Sequence, residues 1–181
     1  MTFDDITGDG CLWAVRFEDE DDNELSILFN RWNDVVWLRA FFKSNFKDLR
    51  DYYGIIDINT AIEETVDDSE ALEDILLGVS STVVVDSVFR PLNNYIKEIC
   101  IERQKGRIDR RKGHASWLRV YALKLNQGIF IITGGAIKLT ATMQERAHTK
   151  AELAKIERVR RFLIENGIVD DAGFEEYINE L

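Results

Sequence analysis

Residues 117–125, WLRVYALKL, then the turn Asn126-Gln127-Gly128 and the run 128–139, GIFIITGGAIKL, decide the fold of this chain. In the first run Trp117, Arg119, Tyr121 and Leu123 alternate with Leu118, Val120, Ala122 and Lys124, the period-two pattern of a β-strand. Asn-x-Gly is a turn signal, so the second run is its antiparallel partner. Gly134-Gly135 interrupts that partner, and glycine within a strand marks a bulge or a close backbone approach. The second half of the chain therefore carries a sheet.

C-terminal to it, Thr149-Lys150-Ala151-Glu152 has the form of a capping box, opening a helix with Leu153, Ile156, Val159 and Leu163 facing inward and Asn166-Gly167 as its stop. A last acidic helical turn covers 171–180. N-terminal to the strands, residues 105–114 form a basic loop with two glycines, which cannot pack a core and is exposed. Before it come an ambiguous amphipathic piece, Tyr95 to Gln104, the turn at Pro91, and 82–85, TVVV, read as a strand or buried linker.

The first half reads differently. Runs 11–17, CLWAVRF, and 24–29, ELSILF, flank the acidic stretch 18–23, which predicts a hairpin with an acidic, solvated tip. From Asn33 to Tyr53, Val35, Leu38, Phe42, Phe46, Leu49 and Tyr53 recur at helical spacing up to Gly54. A second helix follows Thr60, with Ile62, Val66, Leu72, Ile75 and Leu76 inward and a solvated acidic face bearing Glu63, Glu64, Asp67, Asp68, Glu70, Glu73 and Asp74. Trp32 and Trp37 belong to the core. The expected fold class is α+β: an N-terminal β-hairpin and two helices (1–88), then a twisted antiparallel sheet covered by a helix (89–181), the two forming one compact unit.

Charge divides along the same line. The 181 residues carry a net charge of −10. Residues 1–90 hold 21 acidic and 7 basic groups, whereas residues 97–161 hold 16 basic and only 6 acidic. A uniformly basic nucleic-acid binder is excluded, but a locally basic one is not. Two cysteines supply neither a disulfide framework nor a four-cysteine zinc site, and no metal or cofactor is expected. Phosphate-loop, zincin, C-x-x-C and nucleophile-elbow motifs are all absent. The acidic start lacks the character of a signal peptide, and no apolar run is long enough for a membrane span, so a soluble cytoplasmic protein without membrane contact is expected.

What remains is the basic cluster. Lys105, Arg107, Arg110, Arg111, Lys112, Lys124 and Arg146 supply electrostatic attraction for a phosphate backbone, and Tyr121, Trp117 or Phe130 could stack on an unstacked base. A solvated surface balancing the acidic half by intramolecular pairing stands beside that reading. His148 stands just before the capping threonine, either as a proton-transfer group at a helix N-terminus or as a surface residue. His114, inside the basic loop, has the weaker claim.

The succession Phe89-Arg90-Pro91-Leu92, a basic stretch, the strand with Arg119, the strand ending at Lys138-Leu139-Thr140 and the Thr149 helix resembles the phage-derived HigB branch of the RelE/ParE-like toxins, over about residues 89–165. The resemblance implies the toxin of a type II toxin–antitoxin pair: an endoribonuclease needing no metal, acting on messenger RNA at the ribosome and neutralised by a cognate antitoxin protein. It further implies Arg119, Lys138, His148 and Tyr121 as catalytic groups. Relatives usually carry basic residues just after the second strand, where this chain has Gly134-Gly135 and one lysine, and the acidic first half has no counterpart in a minimal toxin. The alternative is a non-catalytic protein-interaction module of the same fold.

Overall fold

In a computed structural model of the chain, the structure describes residues 1–78, 82–92, 101–107, 113–126, 128–140 and 146–180. The two strands foreseen in the second half are β5 (Leu118–Lys124) and β6 (Phe130–Ile137), paired antiparallel with Leu118 opposite Ile137 and Lys124 opposite Phe130. Their register shifts where Tyr121 faces Gly134 while Ala122 faces Ile132, which leaves Thr133 as the extra residue of a bulge. The glycine pair does mark the irregularity.

Two further antiparallel strands extend the sheet beyond β5: β4 (Glu102–Gly106) and the short β3 (Phe89–Pro91). On the other side of β6 stands an N-terminal hairpin, β1 (Thr2–Asp5) with β2 (Leu12–Arg16). The order is β1-β2-β6-β5-β4-β3. Because β2 runs parallel to β6, the sheet is mixed rather than purely antiparallel, and strands of both halves belong to it.

Helices cover both faces. Against one lie α1 (Glu24–Trp32), α2 (Val35–Ser44), α3 (Phe46–Tyr53) and α4 (Ile58–Leu77), closing a core with Leu12, Leu28, Trp32, Phe42, Leu72, Leu118, Val120 and Ile132. Against the other lie α6 (Ala147–Glu165) and α7 (Asp171–Asn179), closing a second core with Phe3, Val15, Tyr121, Leu123, Ile156, Val159 and Phe174. A short α5 (Thr82–Val88) leads into β3. The class is α+β, as the sequence predicts.

Several local expectations are corrected. The hairpin uses 2–5 and 12–16, because the Asp5 carboxylate accepts the main-chain N–H groups of Thr7, Gly8 and Gly10 and so closes the turn there. Residues 24–29 are helical: Asn23 caps the N–H of Ser26, and the buried positions Leu25, Leu28, Phe29 and Trp32 repeat at helical rather than strand spacing. The long helix foreseen over 33–53 is two helices, α2 capped by Asp34 and α3 entered at Asn45. Residues 82–85 lie in α5, not in a strand. The expected capping box is also not formed. α6 starts at Ala147, Thr149 donates its hydroxyl to the Arg146 carbonyl, and Glu152 is buried against β6 instead of reaching back to the helix start.

Candidate functional site

β5 starts after a turn in which Ser116 accepts the N–H of Leu118, and β4 runs alongside with Lys105 opposite Tyr121 and Gly106 opposite Val120. This register places Arg119, just before Tyr121, beside Arg107, just past Gly106. Arg119 is partly buried, and its Nη1 donates to the carbonyls of Ser116 and Leu118, both at 2.6 Å. Among the described residues it bonds no carboxylate. Burial, then repulsion from Arg107, draws its guanidinium below the ordinary arginine value. Lys105 donates to the Leu92 carbonyl at 3.2 Å, and burial followed by repulsion from Arg119 and Arg107 lowers it as well. Three cations thus crowd one end of the β4–β5 pair.

α3 and α4 close this end from the other layer. Gly54, at φ +69°, stops α3 so that Tyr53 donates its hydroxyl to the Lys138 carbonyl at 3.1 Å. Burial pushes the Tyr53 phenol up, against the fields of Arg119 and Arg107. The His114 ring stacks on Trp117 with centroids 4.8 Å apart and meets Tyr53 edge-on at 4.9 Å. Its Nε2 lies 3.0 Å from a Glu64 carboxylate oxygen on α4, and its Nδ1 2.9 Å from the Ala115 carbonyl. Trp117 leaves the alternation foreseen for it: it precedes β5, and its ring enters the α-helical core beside Phe42 while its indole N–H donates to Thr65.

The other expected residues are placed as follows. Tyr121 is 1% exposed, inside the second core, and burial pushes its phenol up strongly. Its ring is not available to stack on an external base. Lys138 donates from its main chain to Trp117 and from Nζ to the Thr140 carbonyl, at the same sheet end as Tyr53. His148 donates from Nε2 to the Ile137 carbonyl at 2.9 Å, with its ring edge-on to Phe41. Arg146 grips both oxygens of the buried Asp48 at 2.5 and 2.6 Å. Lys124 pairs with Asp86 at the opposite end of β5, its ammonium over the Phe130 ring. Arg110, Arg111 and Lys112 lie outside the described residues.

Arg119, Lys105 and Arg107 therefore come together, and Lys138 and His148 join the same sheet end through its main chain. Arg146 and Lys124 are engaged by carboxylates elsewhere. Tyr53, Glu64 and His114 are the residues that sequence reasoning undervalues: Tyr53 reads as one member of an apolar stripe and Glu64 as part of a solvated face. Only the fold brings them to His114. Among the described residues no group of three His, Cys, Asp or Glu side chains could hold a metal ion, and no helix is long and apolar enough to cross a membrane. Two clefts of about 520 and 500 Å³ lie elsewhere, one along α6 at Arg158 and Arg161 and one at Phe46 and Ile56. No family model, curated protein or solved structure matches the chain.

Proposed function

We propose that the chain is the toxin of a type II toxin–antitoxin pair, a cytoplasmic endoribonuclease that cleaves ribosome-bound messenger RNA without a metal and is silenced by a cognate antitoxin. The observation carrying this reading is the cation cluster of Arg119, Lys105 and Arg107, in which, among the described residues, neither Arg119 nor Lys105 bonds a carboxylate. Arg119 and Lys105 are partly buried like charges, which repel, and a structural role would bring acidic partners to these two. A phosphodiester relieves that repulsion, and the same cations stabilise the charge that develops on its oxygens during transfer. The order of β5 with Arg119, β6 ending before Lys138, and α6 supports the same family reading.

In the chemistry proposed, the RNA 2′-oxygen bonds to the adjacent phosphorus and gives its proton to water. The bond from phosphorus to the 5′-oxygen breaks, and that oxygen takes a proton as it leaves. Arg119 and Lys105 hold the phosphoryl oxygens throughout. A second reading, a non-catalytic interaction module, is favoured by the engagement of Arg146, His148 and Lys124 within the fold.

Induced expression tests the choice. Wild type is expected to arrest growth, and an Arg119→Ala/Lys105→Ala double variant of unchanged melting temperature is expected not to. Abundant wild type without arrest would favour the interaction module. Arrest by both would remove the cation cluster from the activity.

A further inference from the structure

We infer that His114, held by Glu64, is the group that protonates the leaving 5′-oxygen at this site, an inference that rests on the proposed ribonuclease reading. Proton transfer needs an imidazole that is oriented, reachable and close to the phosphate-holding cations. His114 meets all three conditions. Its plane is fixed by Trp117 at 4.8 Å and an interplanar angle of 21°, and Tyr53 closes its edge. Its Nε2 is taken by Glu64 at 3.0 Å, fifty positions away in sequence, an arrangement that fixes the ring.

Nδ1 is left toward the exposed turn 113–115, bonded among the described residues to the neighbouring Ala115 carbonyl, a partner that an incoming oxygen can replace. The side chain keeps 23% of its surface exposed. Arg119 Nη1 donates to the carbonyl of Ser116, next in the chain to Ala115, whose carbonyl faces Nδ1, and this puts the ring beside the cation cluster. His148 differs in that its Nε2 is held by a main-chain carbonyl, that of Ile137, and not by a carboxylate. In the proposed step the proton passes from Nδ1 of the His114 imidazolium to the 5′-oxygen as the phosphorus–oxygen bond breaks. The ring is left neutral, with Nε2–H still donated to Glu64. Among the described residues the groups facing it are Glu64 from α4, Tyr53 from α3 and, through Tyr53, Arg119 and Arg107. Glu64 acts as a positioning residue, and it gives the acidic first half a part in the site.

The test is single-turnover cleavage, on programmed ribosomes by the full-length protein, of a synthetic messenger RNA and of the same RNA with sulfur in place of the leaving 5′-oxygen, a leaving group that needs no proton. His114→Gln is expected to lose about 10²–10⁴-fold in rate on the oxygen substrate and to cleave the sulfur substrate at the wild-type rate. Glu64→Gln, acting through His114, is expected to slow the oxygen substrate and to leave the sulfur substrate unchanged. Unchanged cleavage by His114→Gln, or an equal loss on both substrates, overturns the inference and leaves the ribonuclease reading standing. If His114→Gln does not fold, the ratio of the two rates in Glu64→Gln decides alone. Wild type inert on every programmed ribosome overturns the ribonuclease reading, and this inference with it.

Discussion

Gly134 and Gly135 show how two residues without side chains let three layers meet. Past the pairing of Ala14 with Ile132, β6 has no further partner on β2. There α6 brings the Glu152 carboxylate against Gly134, and α1 brings Leu28 against Gly135 from the opposite face. Lys155 links the two buried acids, bonding Glu24 at 2.8 Å and lying 3.4 Å from Glu152. A methyl group at Gly134 would collide with the Glu152 carboxylate, at a φ of +149° that L-residues rarely adopt. Gly134→Ala is therefore expected to cost roughly 1–3 kcal/mol in urea unfolding. Glu152→Ala should recover part of that loss when combined with it, a coupling of about 0.5–3 kcal/mol. Strict additivity of the two substitutions would disprove the contact. The sequence announces the glycine pair as an irregularity, but not Glu152 as its cause, because Thr149 and Glu152 have the spacing of a capping box that the fold uses otherwise.

Among the elements, α3 and α6 are locked by one ion pair whose meaning is pH-dependent. Arg146 stands just before α6, and its two hydrogen bonds hold the buried Asp48 of α3 below the ordinary carboxylate value of 3.8. A carboxylate depressed on folding stabilises the native state above its unfolded value and loses that contribution as pH falls through the lower, folded one. Arg146→Ala leaves Asp48 buried without its main partner, and is expected to cost about 1–3 kcal/mol at neutral pH. The gap between variant and wild type should then close as pH drops below 3.8. Urea midpoints measured from pH 7 down to pH 3 check this, and a constant gap would show that Arg146 works by packing instead. Elements of this kind differ in how legible they were. β5, β6, α4 and the body of α6 follow from period and turn chemistry within one segment. The hairpin edge, the break between α2 and α3 and the start of α1 depend on single capping or turn carboxamides and carboxylates, Asp5, Asn23 and Asp34, which compete with the apolar pattern around them. The site was less legible still. Arg119 stands out as a basic residue in a strand, Lys105 reads as part of an exposed loop but lies in β4, and Tyr53 and Glu64 acquire a role only through contacts reaching 50 or more positions along the chain.

At the scale of the whole molecule, the division between an acidic first half and a basic second half is a division of charge rather than of structure. β2 pairs with β6, Glu24 with Lys155, Asp48 with Arg146, Glu64 with His114, and the Trp117 indole with Thr65. Each contact joins the two halves, and several are buried polar groups whose loss leaves an unsatisfied partner. Residues 1–88 taken alone would expose the apolar faces of α1, α2 and α4 where β5 and β6 now lie, with a two-stranded hairpin as their only sheet, and such a hairpin is at best marginally stable in water. The full chain is therefore expected to unfold in one cooperative transition, with fluorescence from the buried Trp32 and Trp117 and far-ultraviolet circular dichroism giving the same midpoint. The fragment 1–88 is expected to show no cooperative melt. Two separated transitions, or a fragment melting sharply by itself, would make the halves independent units, and Glu64 would then reach His114 by docking rather than by folding.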